Sequence, residues 1–251
     1  MTGGHPSGGR YLVLGAGGLG CPALLGLVAG GAAEIAVVDC DVVDATNLHR
    51  QILYSLGDVG APKVAAAARR LRARAPGLRV EPLHLRLDAA SLPALLAAQP
   101  AGTVVLECSD QPDLKFLVSD TCVALGLPLA LGGVQRWGGL AMAVAPGGAC
   151  LRCVFEDAPP PELAPSCAAV GVLGGAAGTL GFLVAHLAAA LRAGSEVAGT
   201  LIALDVRDPR PQQIRPRPRP GCTGCDPAAA RRISAPLRPA CSVSTADACG
   251  R

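Results

Sequence analysis

Short apolar runs alternate along this chain with longer segments of helical spacing. Residues 11–14 (YLVL), 34–38 (EIAVV) and 103–107 (TVVLE) are almost wholly apolar, the mark of strands buried on both faces. Residues 79–85, 128–131 and 140–145 read as further strands. Between them, residues 18–30, 62–74, 91–98 and 112–125 read as helices, with Pro22 tolerated in a first turn, Pro62 opening the second helix and Pro76 lying beyond its end. That order predicts an α/β fold, a doubly wound sheet whose ligands lie at the carboxyl ends of the strands.

After Cys153 the pattern changes. Residues 154–169 are loop-like and contain Pro159, Pro160 and Pro161; a long helix broken by glycines follows, then strands at 200–205 and near 212–215. From Pro227 the periodicity is lost and the sequence reads as a disordered tail. The expected layout is one domain over 1–226, with a nucleotide-binding half at about 10–150, a crossover loop at about 154–170, a C-terminal helix and strands at 171–226, and a tail at 227–251.

Composition narrows the function classes. A formal charge of +3 and 2% aromatic residues leave little to grip phosphodiesters or stack on bases, so nucleic acid is not an expected partner. Residues 168–191 carry no charge and are long enough to span a bilayer. Their glycines and the lack of flanking aromatic residues favour a helix buried in protein, so no membrane is expected. The first ten residues have no apolar signal core, and eleven cysteines without such a signal indicate a reducing, cytoplasmic setting and metal binding. Only Lys63 and Lys115 are lysines among 22 basic residues, which marks both as places where a compact ammonium is needed.

The candidate chemistry gathers at strand ends. Gly15, Gly17 and Gly20 form GxGxxG between a strand and a helix, with Gly18 inside it, a turn that brings phosphate oxygens to backbone N–H groups. Asp39 follows Gly20 by 39 − 20 = 19 residues, the spacing of a ribose-binding acid. Alone, this pattern fits an NAD-dependent oxidoreductase. Asn47, Arg50 and Gln51 on the next loop, and Lys63 at the next helix start, point instead to chemistry on phosphates. Asp110, beyond another strand, suits Mg²⁺ on phosphate oxygens. Cys150–Cys153 and Cys222–Cys225 are two CxxC pairs able to complete a Cys₄ zinc site that ties the C-terminal segment to the body. Cys167, ahead of the glycine-broken helix, is a candidate nucleophile. Cys21, Cys40 and Cys122 read as packing residues, His49 as incidental, and the arginines between 207 and 219 as a solvated segment.

GAGGLGCP, DCD followed by TNLHRQ, GAPKV around Lys63, CSDQ around Asp110 and the CxxC pairs together resemble the bacterial E1-like adenylyltransferases of the MoeB, ThiF and HesA type, relatives of the ubiquitin-activating enzymes. The resemblance runs from about Tyr11 to Cys225. It implies a Rossmann-like sheet that binds ATP and Mg²⁺ and activates the C-terminal Gly-Gly carboxylate of a ubiquitin-like sulfur-carrier protein as an acyl-adenylate, releasing pyrophosphate. It also implies a homodimer and the Cys₄ zinc site. Gly18 and its neighbours would face the nucleotide, Asp39 the ribose, Asn47, Arg50 and Lys63 the phosphates, and Asp110 the magnesium. Cys167 would take part in sulfur transfer. A non-catalytic carrier-binding relative is the remaining alternative. Three features depart from the family pattern: only ten residues precede Tyr11, where members usually carry an RYxRQ helix; Gln111 replaces an asparagine; and no rhodanese-like domain follows Cys225, so any persulfide is expected from another protein.

Overall fold

The computed structural model describes residues 9–160 and 170–225. Five parallel strands, β1 (Arg10–Leu14), β2 (Glu34–Val38), β3 (Arg79–Leu83), β4 (Val104–Glu107) and β5 (Leu129–Gln135), pair in the order β3-β2-β1-β4-β5. Onto β5 the sheet extends antiparallel through β6 (Gly138–Val144), β7 (Leu201–Asp205) and β8 (Asp208–Ile214). The helices are α1 (Gly20–Ala29), α2 (Lys63–Arg74), α3 (Leu92–Ala97), α4 (Pro112–Leu125), the single turn α5 (Leu151–Val154) and α6 (Gly174–Arg192).

Strand alternation sorts the core into two layers. Tyr11, Val13, Ile35, Val37 and Leu106 face α1, α2 and α6, whereas Leu12, Leu14, Val38, Val105 and Leu131 face α3 and α4. Successive side chains on a strand point to opposite faces, so both faces of the central strands are covered and the runs read as continuously apolar. Leu12, Leu106 and Leu131 are wholly enclosed, and each such burial contributes about 1.5–3 kcal/mol.

The uncharged stretch resolves into α6, among the described helices the one long and apolar enough to cross a membrane. Here it lies in the first layer, with Leu180, Val184 and Leu187 in the core against α1. A Cβ on Gly181 would sit 2.3 Å from Pro22 Cγ and 2.5 Å from the Leu19 carbonyl oxygen, so glycine is what lets the two helices approach.

Several boundaries differ from the sequence reading. The arginines expected in a solvated segment begin on β8: Arg207 and Arg210 flank and enter a hairpin, paired with Asp205 and Asp208. The last strand, expected near 212–215, starts earlier, at Asp208, where proline is tolerated because β8 is the outermost strand. β3 stops at Leu83, while β5 continues to Gln135 as the first arm of a hairpin. The loop after β2 contains two short 3₁₀ turns, Ala45–Asn47 and Leu56–Asp58, capped by Asp44 and Ser55 respectively. The tail at 227–251 and most of the crossover loop, including Cys167, lie outside the described residues.

Candidate active site

The connection from β1 leads to β2 on one side, and β4 lies on the other, so the strand order reverses between β1 and β4. A crevice at the carboxyl ends of such a pair is where open α/β sheets take their ligands. Gly15 leaves β1 at φ +93°, and a Cβ there would lie 2.9 Å from the backbone carbon of Cys108 beyond β4. Only glycine fits both the positive φ and that approach. The turn then enters α1. On its far side the carboxylate of Asp39 accepts hydrogen bonds from the N–H of Ala16 (2.7 Å) and of Asp41 (2.8 Å). The resulting cleft has a volume of about 700 Å³ and is lined by Gly15, Gly17, Gly18, Asp39, Asn47, Arg50, Gln51, Lys63 and Asp110, among others. Nine residues expected from the sequence therefore converge on one cleft. Gly20 does not line it: a Cβ there would sit 2.0 Å from the Gly15 carbonyl oxygen, so its role is to let the turn close.

Lys63, the first residue of α2, is buried, and its Nζ donates to Asp41 Oδ2 at 2.7 Å. Burial by itself would depress the ammonium, but the carboxylates of Asp39 and Asp41 outweigh it and hold Lys63 above the ordinary lysine value. Among the described residues its ammonium has one acceptor, which leaves two N–H groups for a ligand in the cleft. Tyr54 supports this corner from beneath, donating its hydroxyl to the carbonyl of Ala16 (2.9 Å). Burial pushes the Asp39 carboxyl above its usual range, against the pull of Lys63 and the two backbone N–H groups.

Among the described residues Arg50 has one hydrogen-bond partner: Nη1 donates to His49 Nε2 at 3.2 Å, and His49 Nδ1 lies 2.9 Å from the Thr46 carbonyl. His49, read from the sequence as incidental, thus contacts the Arg50 guanidinium. The Gln51 side chain is buried with Oε1 unpartnered, and a Cβ on Gly17 would lie 3.8 Å from its Nε2. An orphaned buried amide oxygen beside a phosphate-type turn is consistent with a polar ligand completing the site. Asp110 is exposed and carries no hydrogen bond or ion pair among the described residues.

On the opposite layer, Cys150 and Cys153 meet Cys222 and Cys225, with all four sulfurs within 4.8 Å of one another. Sulfur separations of 3.8 Å (Cys150–Cys153), 3.6 Å (Cys150–Cys222) and 3.3 Å (Cys153–Cys225) are close to the ~3.8 Å edge of a zinc tetrahedron with Zn–S bonds of about 2.3 Å. The donor set and its spacing fit zinc. Arg152, between the first two cysteines, ion-pairs with buried Asp120 of α4 at 2.9 Å and stacks over Phe116.

With this geometry in place, comparison with known proteins is decisive: residues 7–224 match the ThiF family. The chain belongs to that family. It is 38% identical over 218 residues to the SAMP-activating enzyme E1 of Haloferax volcanii, covering 86% of this chain and 80% of that protein. To the sulfur carrier protein adenylyltransferase of Thermus thermophilus it is 39% identical over 222 residues, covering 85% and 81%. Against the adenylyltransferase and sulfurtransferase MOCS3 of Bos taurus it is 40% identical but spans only 47% of that longer chain. The fold matches E. coli MccB with ATP at a TM-score of 0.73 and 20% identity, over 86% of this chain and 66% of that one.

Part of this ThiF-family site was not visible in the sequence. Glu107, Leu85–Leu87 and Gly133–Gln135 reach the cleft or its supports through strand pairing, while Asp41 and Ser109 lie in the DCD and CSDQ segments without having been singled out as site residues. Lys115 carried a signal as one of two lysines, and both line the cleft. Cys21 and Cys122 are buried packing residues as expected, but Cys40 is half-buried and borders the cleft beside Asp39.

Proposed function

We propose that this ThiF-family chain is an ATP-dependent adenylyltransferase that activates the C-terminal Gly-Gly carboxylate of a ubiquitin-like sulfur-carrier protein. The observation that carries this reading is the buried Lys63 ammonium, held charged with two N–H groups unused among the described residues, in one cleft with the Arg50 guanidinium and a glycine turn. A dehydrogenase has no use for cations converging on that point, whereas attack at phosphorus gains most from them. The names of the relatives, adenylyltransferases and a SAMP-activating enzyme, support the same reading.

ATP would lie with its phosphates over Gly15–Gly18 and its ribose against Asp39. A carrier carboxylate oxygen bonds to the α-phosphorus as the bond to pyrophosphate breaks. The carboxylate is already ionised at neutral pH, so no general base is required. Arg50, Lys63 and Asn47 offset the charge that builds on the phosphate oxygens. Asp110 would hold Mg²⁺, which when bound neutralises phosphate charge. Cys150, Cys153, Cys222 and Cys225 would hold a structural zinc. Cys167 belongs to a separate thiol-dependent step, so Cys167→Ser should leave adenylation intact. A cytoplasmic homodimer completes the reading; Ile52, Leu56 and Val59 between β2 and α2 are exposed apolar surface that assembly could cover.

The test is ATP–pyrophosphate exchange with purified carriers ending in Gly-Gly. Exchange that requires such a carrier and is lost in Arg50→Ala supports the assignment. Tight NAD binding without competition by ATP overturns it.

A further inference from the structure

The second lysine of the chain stands in a different environment from the first. Glu107 ends β4 with its side chain completely buried, an arrangement that costs stability unless the charge is matched. Its Oε1 accepts hydrogen bonds from the backbone N–H (2.9 Å) and the hydroxyl of Ser109, and its Oε2 from Lys115. Lys115, on the second turn of α4, also donates to the carbonyls of Ser109 and of Gly132 on β5, each at 2.6 Å. An ammonium has three hydrogens, and here all three are taken.

Lys115 therefore borders the cleft but has no donor left for a phosphate, in contrast to Lys63. What it does instead is fasten the peptide of Ser109 from one side while Glu107 fastens it from the other. The same loop is held at its base by the Gly15 approach to Cys108 and by the Cys108 N–H bond to the Leu14 carbonyl at 2.8 Å. The residue that follows Ser109 is Asp110, whose own carboxylate has no protein partner among the described residues. Its backbone follows directly on the Ser109 carbonyl that Lys115 holds.

We propose that Glu107 and Lys115 form a buried latch that positions Asp110 for a divalent cation on the nucleotide phosphates, which makes Lys115 a positioning residue. This rests on the functional reading above, since it assigns Asp110 to the metal. Lysine suits the task because three diverging acceptors match the three N–H directions of an ammonium, whereas a planar guanidinium aims its donors in one plane.

The experiment is direct binding of ATP to the full chain by calorimetry, with and without Mg²⁺, for wild type, Lys115→Met, Asp110→Asn and the double variant. Partners behind a metal ligand typically tune metal affinity by about ten- to a hundredfold. Lys115→Met should therefore lose most of the Mg²⁺-dependent gain in ATP affinity while binding metal-free ATP as the wild type does. Added to Asp110→Asn, it should cause no further loss of that gain. Ser109→Ala, which removes only the hydroxyl bond to Glu107, should give a smaller shift in the same direction and guards against misfolding of the methionine variant. Wild-type binding of MgATP with both Lys115→Met and Ser109→Ala unchanged overturns the latch alone. Absence of ATP binding to the wild type overturns the functional reading and the latch together.

Discussion

Lys63 Nζ sits 2.7 Å from Asp41 Oδ2, joining the start of α2 to the residue two places beyond the acid at the end of β2. Lys63 is nearly enclosed while Asp41 is largely exposed, so the lysine is fixed and the aspartate is its replaceable counter-ion. Lys63→Ala should lower ATP–pyrophosphate exchange by about 100- to 1000-fold, the range for removing one charge-stabilising group. Asp41→Asn should cost less than about fivefold, as befits an exposed ion pair. Because Asp39 and Asp41 raise the lysine pKa, the stability of this pair is complete below the ordinary lysine value of about 10.4 and is lost only as pH rises through the higher folded value. Steady-state exchange rates between pH 6 and 9 should show no alkaline loss assignable to Lys63.

Asp39 behaves in the opposite sense. Burial raises its pKa, so the folded state holds the proton more tightly than the unfolded chain does, and the cost of ionised Asp39 builds as pH rises from the ordinary aspartate value and is complete above the folded one. The carboxylate is nonetheless what a ribose hydroxyl needs. ATP affinity should fall on acidification starting above the ordinary aspartate value of about 3.9. Asp39→Asn should flatten that acid limb and weaken ATP binding while melting at the same or a higher temperature. A variant that melts lower and binds ATP normally would reverse both assignments.

Asp58 holds a small structural device below the site. Its buried carboxylate caps the Leu56–Asp58 turn through Ser55 and meets Arg69 and Arg70 of α2. Burial works against ionisation, but Arg70, the Ser55 N–H and Arg69 hold the carboxyl well below the usual range. Its contribution is then present above about pH 3.9, the unfolded value, and disappears as pH falls toward the lower folded one. Asp58→Ala should destabilise the protein by about 1–3 kcal/mol at neutral pH through a lost cap and unpaired donors. Chemical denaturation at pH 7 and at pH 3 measures it, and the difference from wild type should shrink at the lower pH.

Zinc should be found at about one ion per chain, the stoichiometry of a closed Cys₄ site. Replacing Cys150 by serine, or removing metal with a chelator, should expose the chain near Cys222 to protease and lower the melting temperature. ATP binding should persist, because the cluster lies on the α4 layer and outside the cleft lining. Metal content far below one per chain with an unchanged melting curve would remove zinc from the account.

The sequence by itself determined the alternation of buried strands and helices, the glycine turn, and the residue types that line the cleft. It could do so because a strand covered on both faces must be apolar, and because a turn that nears another backbone excludes Cβ atoms, as at Gly15 and Gly20. Lys63 and Arg50 both line the cleft because each lies close in the chain to the end of β2. Local pattern found the last strand only near 212–215, because Pro209 and Pro211 hide its start until an outermost position accommodates them. Tertiary structure alone decided which contacts join distant segments. The two CxxC pairs foretold that Cys222 would meet Cys150, at 3.6 Å across 72 positions, but only the adjacency of β4 and β5 lets Lys115 reach Glu107, Ser109 and Gly132 at once. The GAGGLG turn announces a nucleotide. Whether each cation near it is free to act or already saturated is set by how many acceptors the fold places around its nitrogen: among the described residues, one for Lys63 and three for Lys115.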